Sequence, residues 1–256
     1  IGKNIDHIAG ASLEEVEDFF HRFYAPDNAI LSISGNITDE KALELVKKWF
    51  GDIPPVHYTR KALPMEPQQT EERRLVCEHN KVPADAIYKV YHMGDRQSDN
   101  FYTCDTISDI LSNGQSSRLY INLIKNGKLF SEVDAYITGD LDPGLFIFSG
   151  KLSEGVAIEE AEAAIQNEID RFIEDPISER ELQKVINKTE ARISYSEINY
   201  QGKSANLAFF DYLGDINLIN SESNRYAEVS LDSIRQTARK LFSAKNCSTL
   251  WYLKDK

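Results

Sequence analysis

Residues 12–31 read SLEEVEDFFHRFYAPDNAIL, and the same arrangement returns in residues 230–249, which read SLDSIRQTARKLFSAKNCST. Few identities are shared, but apolar, basic and cap positions keep one register, so that Val16 returns as Ile234 and Asn28 as Asn246. Each copy predicts a capped amphipathic helix, a turn and a strand. The repetition indicates two homologous domains. Two unrelated helix–turn–strand units could share this pattern, and the residues alone leave that alternative open.

The repeat also predicts the domain organisation. If the second domain opens near Arg73, the matching start of the first domain would precede Ile1. We therefore expect tandem homologous domains with the first truncated, so that a motif in its missing part would not be seen. Residues 1–53 would be the end of the first domain, 54–72 a proline-containing linker, and 73–256 the second domain.

The order of predicted elements gives the fold class. The first part contains a helix ending near Phe23, a strand at Ala29–Ser34 and a helix at Asp39–Phe50. In the second domain we expect strands at 73–79, 87–93, 129–138, 145–151 and 247–253, with helices at 99–111, 117–125, 156–174, 179–195, 202–213 and 230–241. This order predicts an α+β two-layer sandwich, with a mainly antiparallel sheet and helices on one face.

Composition excludes several kinds of partner. The formal net charge is −12 and the sequence pI is about 5.0, whereas a nucleic-acid-binding domain needs a basic surface. No apolar run approaches the length of a membrane span, so we expect neither a nucleic-acid nor a membrane partner. The three cysteines are widely spaced, which indicates neither a disulfide framework nor a zinc ribbon. The sequence does not indicate a compartment.

The histidines do not form a recognisable metal motif. None of the five stands in H-E-x-x-H or H-x-x-E-H, the spacings that place two imidazoles on one helix face. His79 and His92 could converge across adjacent strands, although ordinary strand histidines are the simpler interpretation. The sequence therefore predicts no catalytic residue and no metal ligand in this chain.

Several stretches together resemble the insulinase/pitrilysin family of zinc metallopeptidases, which includes mitochondrial-processing-peptidase-like proteins. Residues 21–37 (HRFYAPDNAILSISGNI) and 43–54 (LELVKKWFGDIP) resemble the end of a family domain. Residues 110–123 (ILSNGQSSRLYINL) resemble the second-domain pattern I-L-G-G-G-x-S-S-R-L-Y-x-x-L. Residues 176–182 (PISEREL) resemble G-V-S-E-E-E-L. The similarity extends over essentially the whole chain.

The resemblance implies tandem α+β domains that close around a peptide. Active members carry H-x-x-E-H and a distal glutamate in the part of the first domain that is missing here, where zinc and a general-base glutamate activate water. The resemblance thus implies zinc for the parent protein or for a partner domain, and no cofactor in this chain. It also implies a catalytic domain, in the same chain or in a partner subunit, and a peptide or unfolded-protein substrate.

The resemblance also implies that this chain lacks the two residues with which active second domains grip the substrate. Active members carry an arginine and a tyrosine in a pattern like L-R-x-x-x-x-L-x-Y, whose positions here hold Ile124 and Ser131. Ile124 cannot donate the charge-assisted hydrogen bonds of a guanidinium, and Ser131 is too short to replace a tyrosine. Arg118 and Tyr120 occupy the preceding S-R-L-Y positions and are not substitutes by alignment.

These observations favour an inactive segment of a zinc-metallopeptidase-like protein that helps to enclose a peptide. The alternative is a non-catalytic partner or scaffold subunit that serves protein–protein assembly. Whether the parent protein is a zinc endopeptidase stays open, because the motif that decides it would lie upstream. A helix–sheet interaction module unrelated to peptidases is a third possibility.

Overall fold

The protein, seen as a computed structural model, is described over residues 4–59, 64–79, 82–139, 141–175 and 177–254. The chain divides into two compact units, residues 1–66 with 196–219, and residues 67–195 with 220–256. The domain boundaries expected from the sequence stay predictions, and residues 60–63 of the expected linker lie outside the described residues. Within this described part, no helix combines the length and the apolar character needed to cross a membrane.

The described elements follow the order expected of an α+β chain. The helices are α1 Ile5–Ala9, α2 Leu13–Phe23, α3 Asp39–Phe50, α4 Phe101–Ser112, a π-helix Tyr120–Asn126, α5 Ile158–Glu174, α6 Glu179–Ser196, α7 Tyr200–Tyr212, α8 Glu222–Ala227 and α9 Leu231–Leu241. The strands are β1 Arg73–His79, β2 Ala86–His92, β3 Phe130–Ile137, β4 Leu145–Leu152 and β5 Cys247–Lys254. Short 3-10 turns lie at Pro26–Asn28, Ile216–Asn220 and Ala244–Asn246.

The sequence repeat is reproduced in local hydrogen bonds. The backbone N–H of Glu15 donates to Ser12 Oγ at the start of α2, and the N–H of Ser233 donates to Ser230 Oγ at the start of α9. After each helix an asparagine side chain closes the following turn. Asn28 Nδ2 donates to the Phe23 carbonyl at 2.8 Å, and Asn246 Nδ2 donates to the Leu241 carbonyl at 2.9 Å. These pairs satisfy backbone groups that the ends of a helix leave free.

The larger unit is built on one five-stranded sheet with the order β1-β5-β2-β4-β3. β5 runs parallel to β1 and antiparallel to β2, and the remaining pairs are antiparallel. The sheet is thus mixed and mostly antiparallel, so the expected α+β class is confirmed.

The core of this unit lies on one side of the sheet. Along β2 the side chains of Ile87, Lys89 and Tyr91 are buried, whereas those of Tyr88 and Val90 between them are only half-buried. Such alternation is typical of a sheet with one face packed on helices. The buried face carries a cluster of aromatic rings that spans two strands and the residue after α9, made of Tyr91, Phe146, Phe148 and Phe242.

One element prediction is wrong, and one helix is of a different type from the others. Residues Ala29–Ser34 do not form a paired strand in the described chain, although Ala29 has extended dihedral angles. A strand requires a neighbour for its backbone groups, and no described strand pairs with this segment. The helix expected at 117–125 is present, but its main part is the π-helix Tyr120–Asn126 rather than an α-helix. Periodicity of apolar residues cannot separate these two kinds of helix over so few residues.

Candidate functional site

The sheet face opposite the helices forms the candidate site. Its side chains are half-buried or exposed, and they fall into cross-strand rows fixed by the register. In one row Tyr88 of β2 lies opposite Leu250 of β5 and Ser149 of β4, and Ser149 lies opposite Asp134 of β3. We call this surface the open face.

The neighbouring row on the open face runs through four strands. Tyr252 of β5 is opposite Ala86 of β2, Ala86 is opposite Lys151 of β4, and Lys151 is opposite Glu132 of β3. A β-bulge separates Phe130 from Glu132 at the start of β3. The bulge shifts the register of β3, so that Glu132 rather than Ser131 lies opposite Lys151.

A depression of about 390 Å³ lies across these two rows. Tyr88, Tyr136 and Tyr252 line it, together with the small residues Ala86 and Ser149. Ser149 stands beside Tyr88 in one row and Ala86 beside Tyr252 in the other, so the surface sinks next to these rings. Residues 82–84, which precede β2, line the depression as well. Tyr136 is 44% exposed, so its ring is available to a ligand.

Two carboxylates lie beside the depression on β3. Among the described residues, neither Glu132 nor Asp134 has a hydrogen-bond or ion-pair partner for its side chain. Burial, followed by the nearby charge of Glu132, raises the pKa of the Asp134 carboxyl above its ordinary value. Both causes disfavour a negative charge at this point, and a bound cation would offset the repulsion from Glu132.

On the helix side of the sheet, by contrast, opposite charges lie next to one another, although Arg74 remains exposed. Glu162 accepts hydrogen bonds from Arg74 Nη2 at 2.5 Å and from Trp251 Nε1 at 2.7 Å. The buried Lys89 Nζ lies 3.5 Å from the other oxygen of the same carboxylate. This network holds β1, β2 and β5 against α5 and is structural in character.

Ile124 and Ser131, at the positions of the expected arginine and tyrosine, lie in different environments. Ile124 is in the π-helix, and its side chain packs against the hydrophobic core. Ser131 is exposed at the β3 bulge, where its Oγ donates to the Lys151 carbonyl at 3.2 Å. An aliphatic side chain in the core offers no polar group to a peptide. That no residue of this chain replaces the gripping pair stays a prediction.

Arg118 is engaged elsewhere. Its Nε and Nη2 donate to the two oxygens of Glu181 at 2.9 and 3.2 Å, and its guanidinium lies 5.3 Å from the centre of the Phe172 ring. Glu181 also accepts from the backbone N–H and the hydroxyl of Ser178 at the start of α6. The S-S-R-L-Y and S-E-R-E-L stretches, noticed separately in the sequence, are therefore joined by this ion pair.

His79 and His92 do not converge, so the possibility that the sequence left open is wrong. β5 lies between β1 and β2, so their strands are not neighbours. His79 is opposite Lys254 at one end of β5, whereas His92, paired with Leu145, lies beyond the other end. His79 instead stacks on Tyr252, with ring centres 6.4 Å apart. The part of the chain that the structure describes holds no group of three or more His, Cys, Asp and Glu side chains arranged for a metal ion.

Comparison with known proteins identifies the family. Residues 10–189 match the family model described as the peptidase M16 inactive domain. The chain belongs to this family. It is 24% identical over 256 residues to the zinc protease PqqE of Helicobacter pylori, a match that covers 96% of this chain and 56% of that protein.

Solved structures agree with the fold of an M16 inactive domain. A protease from Helicobacter pylori superposes with a TM-score of 0.89 at 20% identity, over 97% of this chain and 61% of the other. A peptidase M16 inactive domain from Pseudomonas fluorescens gives 0.86 at 12% identity, over 98% and 60%. The M16 chain described here thus spans little more than half the length of the curated relative that it matches.

Sequence reasoning missed the depression on the open face. The alternation that exposes Tyr136 is readable in the sequence of β3, whereas β2 buries Lys89 and shows no such pattern. The meeting of four strands is not readable in either sequence. The relevant signal is a small residue, Ala86 or Ser149, placed on the same face as the tyrosines. These small residues indicate a depression only when the strand order β5-β2-β4-β3 is known.

Proposed function

We propose that this M16 inactive domain is a non-catalytic wall of a peptide-enclosing chamber in a zinc-metallopeptidase-like protein. The observation that carries the proposal is the open face, which lies opposite the helices and presents tyrosines, aliphatic groups and charges together. A mixture of aromatic and polar groups on a partly exposed surface suits contact with a polypeptide. The catalytic groups would come from another domain of the same protein or from a partner subunit.

The internal repeat supports the proposal that residues 1–53 end a first, homologous domain. Val16 of α2 corresponds to Ile234 of α9, yet Val16 is 54% exposed and Ile234 is fully buried. The segment Ala29–Ser34 corresponds to the beginning of β5, which lies between a parallel and an antiparallel neighbour. We infer that the strands needed by α2 and by this segment belong to parts of the protein outside these 256 residues.

Zinc would act, on this proposal, in that other part of the protein. The relative from Helicobacter pylori is named a zinc protease, but the donor groups required for zinc are not gathered among the described residues of this chain. The residues therefore do not fit the metal, and no chemical step is assigned to it here. The role left to this domain is to bind and to confine the peptide.

A binding experiment on the chain itself tests the proposal. A fluorescein-labelled unstructured peptide is titrated with the protein, and binding is followed by fluorescence polarisation. Ile147→Glu places a charge in the centre of the open face, opposite Val90 and Tyr136, and should weaken binding about tenfold. Asn167→Glu adds the same charge on the exposed side of α5 and should leave binding unchanged.

Two results of this titration would contradict the proposal. If the chain bound no unstructured peptide, or if both variants lost affinity to the same extent, the open face would not be a peptide surface. Ile147→Thr serves as a milder variant if the glutamate prevents folding, because threonine suits a strand and removes apolar contact. Far-ultraviolet circular dichroism establishes which variants are folded before the titration.

The second candidate, a scaffold for subunit assembly, is favoured by the smaller unit. Along α2 the apolar residues Leu13, Val16, Phe19 and Phe20 are all more than half exposed. Exposed apolar surface of this kind is typical of an interface. The two functions are compatible, because a chamber wall must also be held against the rest of its assembly.

A further inference from the structure

We propose that the depression bounded by Tyr88, Tyr136 and Tyr252 is a subsite for a lysine or arginine side chain of an extended peptide. The inference rests on the proposed function and makes it more specific, since it names the side chain that the open face would prefer. Its three grounds are the shape of the depression, the aromatic groups around it and the charges beside it.

The shape suits a long, narrow side chain. Ala86 and Ser149 are the small residues of the two central strands, and tyrosines stand on both sides of them. The depression, of about 390 Å³, is open towards the face along which an extended peptide would lie. An extended peptide directs alternate side chains towards the surface on which it rests, so one side chain can enter while its neighbours point away.

The aromatic groups favour a cation. Tyrosine rings attract ammonium and guanidinium groups through the negative potential of their faces. Tyr88 and Tyr252 lie diagonally across β2 and β5, because Tyr88 pairs with Leu250 and Tyr252 pairs with Ala86. Tyr136 approaches from β3, on the other side of β4. A side chain lying between them has aromatic surface along its aliphatic part and at its charged end.

The charges act in the same direction. Glu132 lines the depression and Asp134 lies two residues further along β3, on the same face. In the described chain neither carboxylate has an ion pair within 4.0 Å, even though Lys151 is directly opposite Glu132. Lys151 also lines the depression, so that it and the two carboxylates together carry a formal net charge of −1. We expect this excess to favour a cation from the peptide over a glutamate.

The test compares three labelled peptides that are identical except at one central position, which is arginine, citrulline or glutamate. Citrulline has nearly the shape of arginine without its charge. Titration of the chain should give the order arginine, citrulline, glutamate, with arginine about fivefold tighter than citrulline. The preference should decrease as salt is added.

Matched variants locate the preference. Glu132→Gln combined with Asp134→Asn should reduce the difference between arginine and citrulline to less than about twofold, with the citrulline peptide bound as before. Glu159→Gln combined with Glu160→Gln removes two exposed acids from the start of α5 and should leave the difference intact. Tyr136→Leu retains apolar area and should lessen the difference by removing the aromatic face.

Each outcome separates this inference from the function on which it rests. If none of the three peptides binds, the proposed function fails and the subsite fails with it. If all three bind equally, or if the control pair of variants removes the preference as well, the peptide surface stands and the subsite is overturned. Lys151→Met provides a further check, because removal of the competing cation should increase the arginine preference.

Discussion

Arg118 and Glu181 are positioned so that one ion pair fixes the start of α6. The side chains are 19% and 32% exposed, and Ser178 adds two hydrogen bonds to the same carboxylate. Burial alone would raise the pKa of Glu181, but the hydrogen bonds from Arg118 and Ser178 outweigh it and lower the pKa to about 2. The S-S-R-L-Y and S-E-R-E-L stretches, which carry the family resemblance, therefore stabilise the fold at this point.

At the residue scale we predict that Glu181→Gln lowers the free energy of unfolding at pH 7 by about 1–2 kcal/mol. A depressed pKa stabilises the folded state above the ordinary value of 4.5, and this contribution is lost as the pH falls towards about 2. Urea unfolding at several pH values should therefore show a steeper acid loss in the wild type than in the variant. Glu190→Gln, on the exposed side of α6, is the control. Parallel pH profiles for wild type and Glu181→Gln would contradict the prediction.

At the element scale, α2 and α9 have the same capped sequence pattern and different surroundings. Ile234→Ala in α9 should cost about 2–5 kcal/mol, because the side chain is fully buried and the change leaves a cavity. Val16→Ala at the matching position of α2 should cost no more than about 0.5 kcal/mol. Urea unfolding of both variants checks the difference. Equal losses would mean that α2 is packed as tightly as its counterpart.

The same elements indicate what the sequence could predict. β1 was expected at 73–79 and is found at Arg73–His79, because strand-forming residues there end in clear turn signals. The strand expected at Ala29–Ser34 was wrong, since pairing depends on neighbours that a local pattern cannot reveal. For the site, the pattern of β2 does not indicate which side chains face outward, because the buried Lys89 stands next to the half-buried Val90. It could not predict that Tyr88, Tyr136 and Tyr252 surround one depression, because this depends on the strand order.

At the scale of the whole molecule, the unpaired segment Ala29–Ser34 gives a prediction that rests on the proposed first domain. If that domain supplies the neighbouring strands, the amides of this segment become hydrogen-bonded and buried. Hydrogen exchange measured by mass spectrometry should then be fast in the chain of 256 residues and slowed in a protein that includes the proposed first domain. The amides of β5, already paired on both sides, serve as the internal reference. Fast exchange in both proteins would contradict the proposed first domain.

The position of β5 in the sheet also has a consequence for how the protein is made. β5 is the last strand in the sequence, yet it lies between β1 and β2, which are among the first to be synthesised. On the ribosome β1 therefore lacks β5, its one neighbour among the described strands, until residues 247–254 have emerged, while β2, β4 and β3 can already pair. Pairing between distant parts of a chain is slow, and an unpaired strand invites association with other chains. During synthesis, β1 is accordingly the described strand that stays unpaired for the longest time.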